Sequence, residues 1–238
     1  MLPQWQTGII RRIDPVNAAT RRFFIELPDT ERFDFKPGQF ITLDLPIHEQ
    51  RNRRWRSYSI ASAPDGSNII ELIVVHVEGG AGSTYLFEQV DVGSTLTMRG
   101  PNGIFVLPED LGADLFLICT GTGVAPFRSM AAWLAANPRP HGPVHLIFGC
   151  RTQNELLYRE ELERYAAQIP HFHYHPTLSR ESWEGDCGYV HAIYERLCEA
   201  RQPAQFMLCG WKAMIDEAKA RILAMGYDKK QIHLELYG

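Results

Sequence analysis

Three stretches of this sequence bring together residue types that could do chemistry. Arg56-Ser57-Tyr58-Ser59-Ile60-Ala61-Ser62 sets a fixed cation, an aromatic ring and small hydroxyls within a few positions. A guanidinium can grip phosphate with two parallel N–H donors. A phenol ring can stack on a flat heterocycle, and a serine hydroxyl can donate or accept at that heterocycle's edge. The combination suits a bound flavin, with Arg56 on phosphate, Tyr58 on the isoalloxazine face and Ser59 at the redox-active edge. The same residues also read as a plain strand, with Arg56, Tyr58 and Ile60 alternating against Ser57 and Ser59.

The other two stretches are glycine turns. In Cys119-Thr120-Gly121-Thr122-Gly123-Val124-Ala125-Pro126 an apolar strand runs into a turn, and a helix opens at Pro126, since proline suits a first helical turn. Glycines let the backbone approach a diphosphate, and the helix N-terminus offers free N–H groups and partial positive charge. Ala125-Pro126 stands where the G-x-G-x-x-G fingerprint would close on x-Gly, and a bare strand-to-helix turn is the alternative. Gly79-Gly80-Ala81-Gly82-Ser83 likewise ends a strand and precedes a short helix, a second anion-binding candidate or else a hairpin tip. Together with Arg56 the two turns suggest two diphosphate-bearing ligands on one chain.

The elements that must position these residues fall into two kinds. Strands are expected over 7–13, 20–27, 39–45, 55–62, 69–77 and 95–99, with one short helix over 84–90. Asp14-Pro15-Val16-Asn17, Lys36-Pro37-Gly38 and Pro64-Asp65-Gly66-Ser67 are the turn clusters between them. This predicts a six-stranded antiparallel β-barrel. Beyond Pro108-Glu109-Asp110-Leu111-Gly112, strands over 115–119, 144–148, 172–178, 206–209 and 232–237 alternate with helices over 126–136, 155–168, 190–200 and 213–225. That periodicity predicts an α/β domain with a five-stranded, mostly parallel sheet. The boundary is placed near residue 110, giving domains 1–109 and 110–238.

Composition narrows the partners. The 238 residues are 45% hydrophobic and 22% charged, an ordinary globular balance. A net charge of −4 argues against nucleic acid as the main partner. No apolar run reaches the roughly 18–20 residues of a membrane span, and the first residues lack a signal-peptide pattern, so a cytoplasmic protein is expected. The cysteines, Cys119, Cys150, Cys187, Cys198 and Cys209, are odd in number and show no C-x-x-C spacing, which favours neither disulfides nor a metal or iron–sulfur site.

In order along the chain, these motifs resemble those of the ferredoxin–NADP⁺ reductase superfamily, a flavin barrel followed by a nicotinamide-nucleotide domain. Arg56-x-Tyr58-Ser59-x-Ala61-Ser62 resembles the flavin motif, and Gly80-Ala81-Gly82-Ser83 the loop under the flavin diphosphate. Gly100-Pro101-Asn102-Gly103-Ile104-Phe105 resembles the segment closing the barrel, and Gly121-Thr122-Gly123-Val124-Ala125-Pro126 the nucleotide diphosphate turn. Cys209-Gly210-Trp211-Lys212-Ala213-Met214 resembles the family's C-G-x-x-x-M, and Glu235-Leu236-Tyr237 its acidic and aromatic end. The resemblance covers roughly residues 5–237. It implies FAD held by Arg56, Tyr58, Ser59, Gly80, Gly82, Ser83 and Thr84, with Tyr237 over the second ring face. It implies NADP held by Thr120, Gly121, Gly123, Pro126 and Gly210, with Cys209 beside the nicotinamide. Ser59 and Glu235 would hydrogen-bond or relay the flavin N5 proton. Gly238 follows Tyr237, which departs from the tyrosine-terminated members.

The implied activity is hydride transfer from NADPH to FAD, with electrons passed to a separate ferredoxin, flavodoxin or oxygenase component, because the chain has no C-x₄-C-x₂-C cluster motif. For the coenzyme, Gly149-Cys150-Arg151 has no acid after the second strand of the α/β domain. Ser179 and Arg180 follow the third strand and suit a 2′-phosphate, with Arg151 as helper, so NADPH is expected over NADH. Two other functions fit the motifs: a free-flavin or quinone reductase, and a non-catalytic electron-transfer or sensor subunit. His171, His173 and His175 alternate and would share one strand face, a possible metal site but more simply strand residues. Arg51-Asn52-Arg53-Arg54-Trp55-Arg56 reads as a solvated turn, or as a surface for an acidic redox partner.

Overall fold

The computed structural model describes residues 3–237, excepting the side chain of Tyr237. The chain divides into two compact units between Val106 and Leu107. In the first unit, β1 (Gln6–Asn17), β2 (Thr20–Glu26), β3 (Phe40–Asp44), β4 (Trp55–Ser59), β5 (Ile69–Val75) and β6 (Thr95–Asn102) form one sheet, with α1 (Ala81–Glu88) between β5 and β6. The order is β4-β3-β6-β1-β2-β5, and every neighbouring pair is antiparallel. The two end strands meet where Ala61 N–H donates to Glu71 O at 2.8 Å and Glu71 N–H donates to Ser62 Oγ at 3.1 Å. That contact curls the sheet into a barrel around Ile10, Phe23, Ile25, Ile41, Leu43, Leu72 and Met98.

Two expectations are corrected here. Asp14-Pro15-Val16-Asn17 is not a turn; β1 runs through it, and Ala19 N–H bonds Asn17 Oδ1 just beyond. Only Gln6–Ile9 pair with β6, so the far end of β1 has one open edge, and the register shifts between Pro15 and Asn17. An open, irregular edge is where a strand tolerates proline. The strand expected over 55–62 ends at Ser59, because the next residues turn away to close the barrel.

The second unit holds β7 (Asp114–Thr120), α2 (Val124–Ala136), β8 (Val144–Cys150), α3 (Arg159–Gln168), β9 (Phe172–Leu178), β10 (Asp186–Cys187), α4 (His191–Leu197), β11 (Ala204–Trp211), α5 (Lys212–Ala224) and β12 (Ile232–Tyr237). Its sheet runs β10-β9-β8-β7-β11-β12, all parallel. It has six strands rather than five, because the two-residue β10 is too short to leave a hydrophobic pattern. One face of the sheet, with Phe116, Ile118, Ile147, Phe206 and Leu208, packs on Ile193 and Tyr194 of α4 and on Ile215, Ala218 and Ile222 of α5. The helix expected over 155–168 starts only at Arg159. Tyr158 is left-handed, with φ 57°, and Arg128 lies 4.5 Å over its ring. Among the described residues no helix is long and apolar enough to cross a membrane.

The histidines are arranged differently from their spacing. His171 precedes β9 with φ 56°, so it does not share the face of His173 and His175. The third ring comes from β8. His145 Nδ1 lies 3.2 Å from His175 Nε2, and the His145 ring stacks at 5.0 Å on His173 and at 4.9 Å on Phe116. Burial first, then His175 and His173, hold the His145 pKa down at about 4, while Asp114 pulls the other way. Burial and His173 lower His175 as well. An unfolded histidine titrates near 6.5, so below that pH the unfolded chain binds more protons than the folded one. This cluster's contribution to stability is therefore complete above about pH 6.5 and lost as pH falls toward 4. The urea midpoint is expected to drop between about pH 7 and about pH 5, and His145→Phe, which keeps the stack on Phe116, should flatten the drop. An unchanged drop in the variant would remove His145 as its source.

Candidate cofactor and nucleotide sites

In the first unit, Arg56 and Tyr58 lie two residues apart on β4 and pair with Leu43 and Ile41 of β3. Arg56 Nη1 donates to Arg53 O at 3.0 Å and to Trp55 O at 2.8 Å, which fixes the side chain over the turn before β4. Its stem lies against Gly82, where an added Cβ would sit 2.8 Å from Arg56 Cγ and 3.1 Å from Nε. Gly82 is in the first turn of α1, which begins three residues earlier than the sequence suggests. Gly80, Gly82, Ser83 and Thr84 are thereby gathered at that helix start. The first intrahelical bond there is Thr84 N–H to Gly80 O at 2.9 Å, which leaves the preceding N–H groups without helical partners. An arginine laid across a helix N-terminus with no intervening side chain is an anion cradle.

The hydroxyls at this turn are engaged locally. Ser83 Oγ accepts from Val77 N–H at 3.0 Å and donates to Gly80 O at 3.0 Å, so it knits the loop. Thr84 Oγ1 lies 3.4 Å from His76 Nε2. Burial pushes the Tyr58 hydroxyl up to about 12 against the pull of Arg56, so the ring is a neutral phenol. Ser59, next along the strand, is buried.

In the second unit, the sheet order reverses between β7 and β11, and ligands of such sheets bind outside the carboxyl ends of the strands at that point. The Thr120-Gly121-Thr122-Gly123 turn and Gly210 meet there. Gly121 has φ 54°, and the turn leads straight into α2, with Pro126 buried in its first turn. A Cβ on Gly123 would lie 2.4 Å from Cys209 O, and one on Gly210 would lie 2.4 Å from Thr120 Oγ1. Only glycines allow the two strand ends to approach this closely.

Cys209 sits beside Cys119 in register, and both are fully buried. Burial, then Cys209 and Cys150, push the Cys119 thiol well up. Cys209 pairs across β12 with the half-buried Glu235. Trp211 pairs with Tyr237 by backbone register, while the Tyr237 side chain lies outside the described residues. Trp211 is 58% exposed. Its Nε1 would be 3.9 Å from a Cβ on Gly121.

The carboxyl ends of β8 and β9 bring Arg151, Ser179 and Arg180 together. Arg180 N–H donates to Arg151 O at 3.0 Å, while Ser179 N–H and Oγ reach Cys150 O at 3.0 and 3.2 Å. Arg151 and Arg180 are exposed, and among the described residues neither guanidinium is in an ion pair. The sequence showed no acid directly after β8, yet folding supplies two. Glu155 accepts from Arg151 N–H at 2.9 Å, and Glu181 accepts from Gln153 N–H at 2.7 Å and Gln153 Nε2 at 3.0 Å. Glu155 is four residues on and Glu181 comes from the next loop, so a strand-end rule read from sequence passes over both.

The oxidoreductase FAD-binding domain family matches residues 8–107, and the oxidoreductase NAD-binding domain family matches 117–220. Ferredoxin–NADP reductase B of Sorangium cellulosum is 39% identical over 238 residues, covering 94% of each chain. The anthranilate 1,2-dioxygenase electron transfer component of Acinetobacter baylyi is 35% identical over 191 residues, 79% of this chain and 54% of that protein. The chain thus spans about half the length of that oxygenase component. The crystal structure of an Amycolatopsis cytochrome P450 reductase superposes with a TM-score of 0.87 at 28% identity, covering 99% of this chain and 71% of that one. That of a ferredoxin NADP⁺ reductase from Neisseria gonorrhoeae with bound FAD and NADP gives a TM-score of 0.81 at 25% identity over 98% of both.

Proposed function

The chain belongs to the ferredoxin–NADP⁺ reductase superfamily of FAD-dependent NAD(P)H oxidoreductases, and from that premise we propose that it oxidises NADPH through FAD and delivers the electrons to a separate carrier protein. The observation that carries this reading is the pair of anion cradles, one in each unit. Arg56 against Gly82 at the start of α1 fits a flavin diphosphate. The Gly121–Gly123 turn at the β7/β11 switch point fits a second diphosphate. Bound FAD would supply a two-electron hydride acceptor that can release electrons singly.

The chain's own residues bind and orient. Arg56 and the N–H groups of residues 81–83 at the start of α1 hold the flavin diphosphate, and Tyr58 offers a neutral aromatic face. Ser59 is assigned the hydrogen bond at the flavin edge. Thr120, Gly121, Gly123, Pro126 and Gly210 shape the nucleotide turn. Buried Cys119, its thiol pushed well up by burial, packs beneath it as a neutral thiol rather than as a nucleophile, with buried Cys209 in register beside it. Hydride transfer then needs orientation more than acid–base chemistry. The names of the relatives, a ferredoxin–NADP reductase and an oxygenase electron transfer component, support a protein acceptor. The test is NADPH-dependent reduction of a ferredoxin by the flavin-loaded protein; reduction of free flavin or quinone alone would overturn the carrier reading.

NADPH is preferred over NADH in this reading because Arg151 and Arg180, exposed on neighbouring strand ends and in no ion pair among the described residues, offer two guanidinium groups to a 2′-phosphate dianion. The one hydroxyl proton of Ser179 is committed to Cys150 O, so the arginines do the reading. Arg180→Ala should raise KM for NADPH about tenfold or more, with little change for NADH. Equal effects on both coenzymes would contradict the assignment.

A further inference from the structure

We infer that Glu181 is a positioning residue for coenzyme selection: its carboxylate clamps the loop after β8 to the loop after β9 and so holds Arg151 and Arg180 at the spacing of a single phosphate. The inference rests on the 2′-phosphate reading above. Arg151 and Arg180 lie on different loops, and among the described residues no hydrogen bond or ion pair ties their side chains together. The ties are elsewhere. Both Glu181 oxygens accept from one residue of the other loop, Gln153, through its N–H at 2.7 Å and its Nε2 at 3.0 Å. Arg180 N–H donates to Arg151 O at 3.0 Å, and Glu155 closes its own loop by accepting Arg151 N–H at 2.9 Å. The two carboxylates also crowd Cys150. After burial, Glu155 and Glu181 are the groups that push its thiol up to about 12.

A carboxylate here has two opposed effects on an incoming phosphate. As a clamp it orders the two guanidinium carriers before binding, and preorganisation lowers the cost of association. As an anion it repels the 2′-phosphate through mostly solvent-screened space. The effects separate by mutation. Glu181→Gln keeps the clamp: its amide oxygen can take Gln153 N–H, and its amide NH₂ can donate to a flipped Gln153 side chain. It removes only the charge. Glu181→Ala removes both.

The experiment measures KM and kcat with NADPH and NADH on the flavin-loaded protein, and competitive inhibition by 2′-AMP, which probes the phosphate subsite alone. Glu181→Ala should raise KM for NADPH and Ki for 2′-AMP about tenfold, with kcat and the NADH parameters near those of the parent. Glu181→Gln should restore both values or fall slightly below the parent. Parallel losses with NADPH and NADH in Glu181→Ala, or Glu181→Gln behaving like Glu181→Ala, would overturn the clamp. Arg180→Ala, measured alongside, separates the readings. If it is selective for NADPH while Glu181→Ala is not, the clamp fails and the phosphate site stands; if Arg180→Ala is not selective, the phosphate site itself fails.

Discussion

Arg56→Ala is expected to give a folded protein that purifies with little or no flavin. Among the described residues the Arg56 guanidinium bonds the turn carbonyls of Arg53 and Trp55, and its stem crosses the bare backbone of Gly82. The barrel should therefore keep its stability to within about 1 kcal/mol. The proposed flavin diphosphate would lose a charge-assisted, two-pronged contact worth on the order of 3 kcal/mol, hence about a hundredfold in FAD affinity. Arg56→Lys should recover part of this, since a lysine supplies the charge without the fork. Equilibrium titration of apoprotein with FAD checks it. An Arg56→Ala protein that keeps its flavin through gel filtration would detach Arg56 from the cofactor.

Gly123→Ala should abolish nucleotide binding while leaving the flavin in place. The added methyl would stand 2.4 Å from Cys209 O, 2.7 Å from Cys209 C and 2.9 Å from Gly210 Cα. All three are backbone atoms, so no rotamer change can relieve the overlap, and β7 and β11 must part where the sheet order reverses. Overpacking of this kind costs roughly 1–3 kcal/mol or more. Because it displaces the turn itself, NADP⁺ affinity should fall about a hundredfold or further. Thr122→Ala, in the same turn, is the control and should bind nearly as the parent does. Normal NADP⁺ binding by Gly123→Ala, followed by difference spectroscopy, would show that the turn is not the diphosphate site.

Much of this architecture was legible because it repeats. Six alternating strands followed by a strand–helix rhythm define both units, and the glycine turns sit where an apolar strand gives way to a helix. What stayed hidden depends on tertiary contact. The extension of β1 through Pro15 requires knowing that its far end has only one neighbour. The late start of α3 follows from the left-handed Tyr158 under Arg128. His145 joins His173 and His175 only because β8 and β9 pair in that register. In the coenzyme site, Arg151 and Arg180 were visible as strand-end residues, whereas the Glu181–Gln153 tie joins positions 28 apart and carries no local pattern.

The most direct test of the central claim is an anaerobic visible spectrum of the purified protein, titrated first with NADPH and then, on a fresh sample, with NADH. A bound flavin band that bleaches stoichiometrically, at lower NADPH than NADH, is the predicted result. A protein that carries no flavin and takes none up on reconstitution would reduce the Arg56 motif to a plain strand, and the reductase function would fall with it.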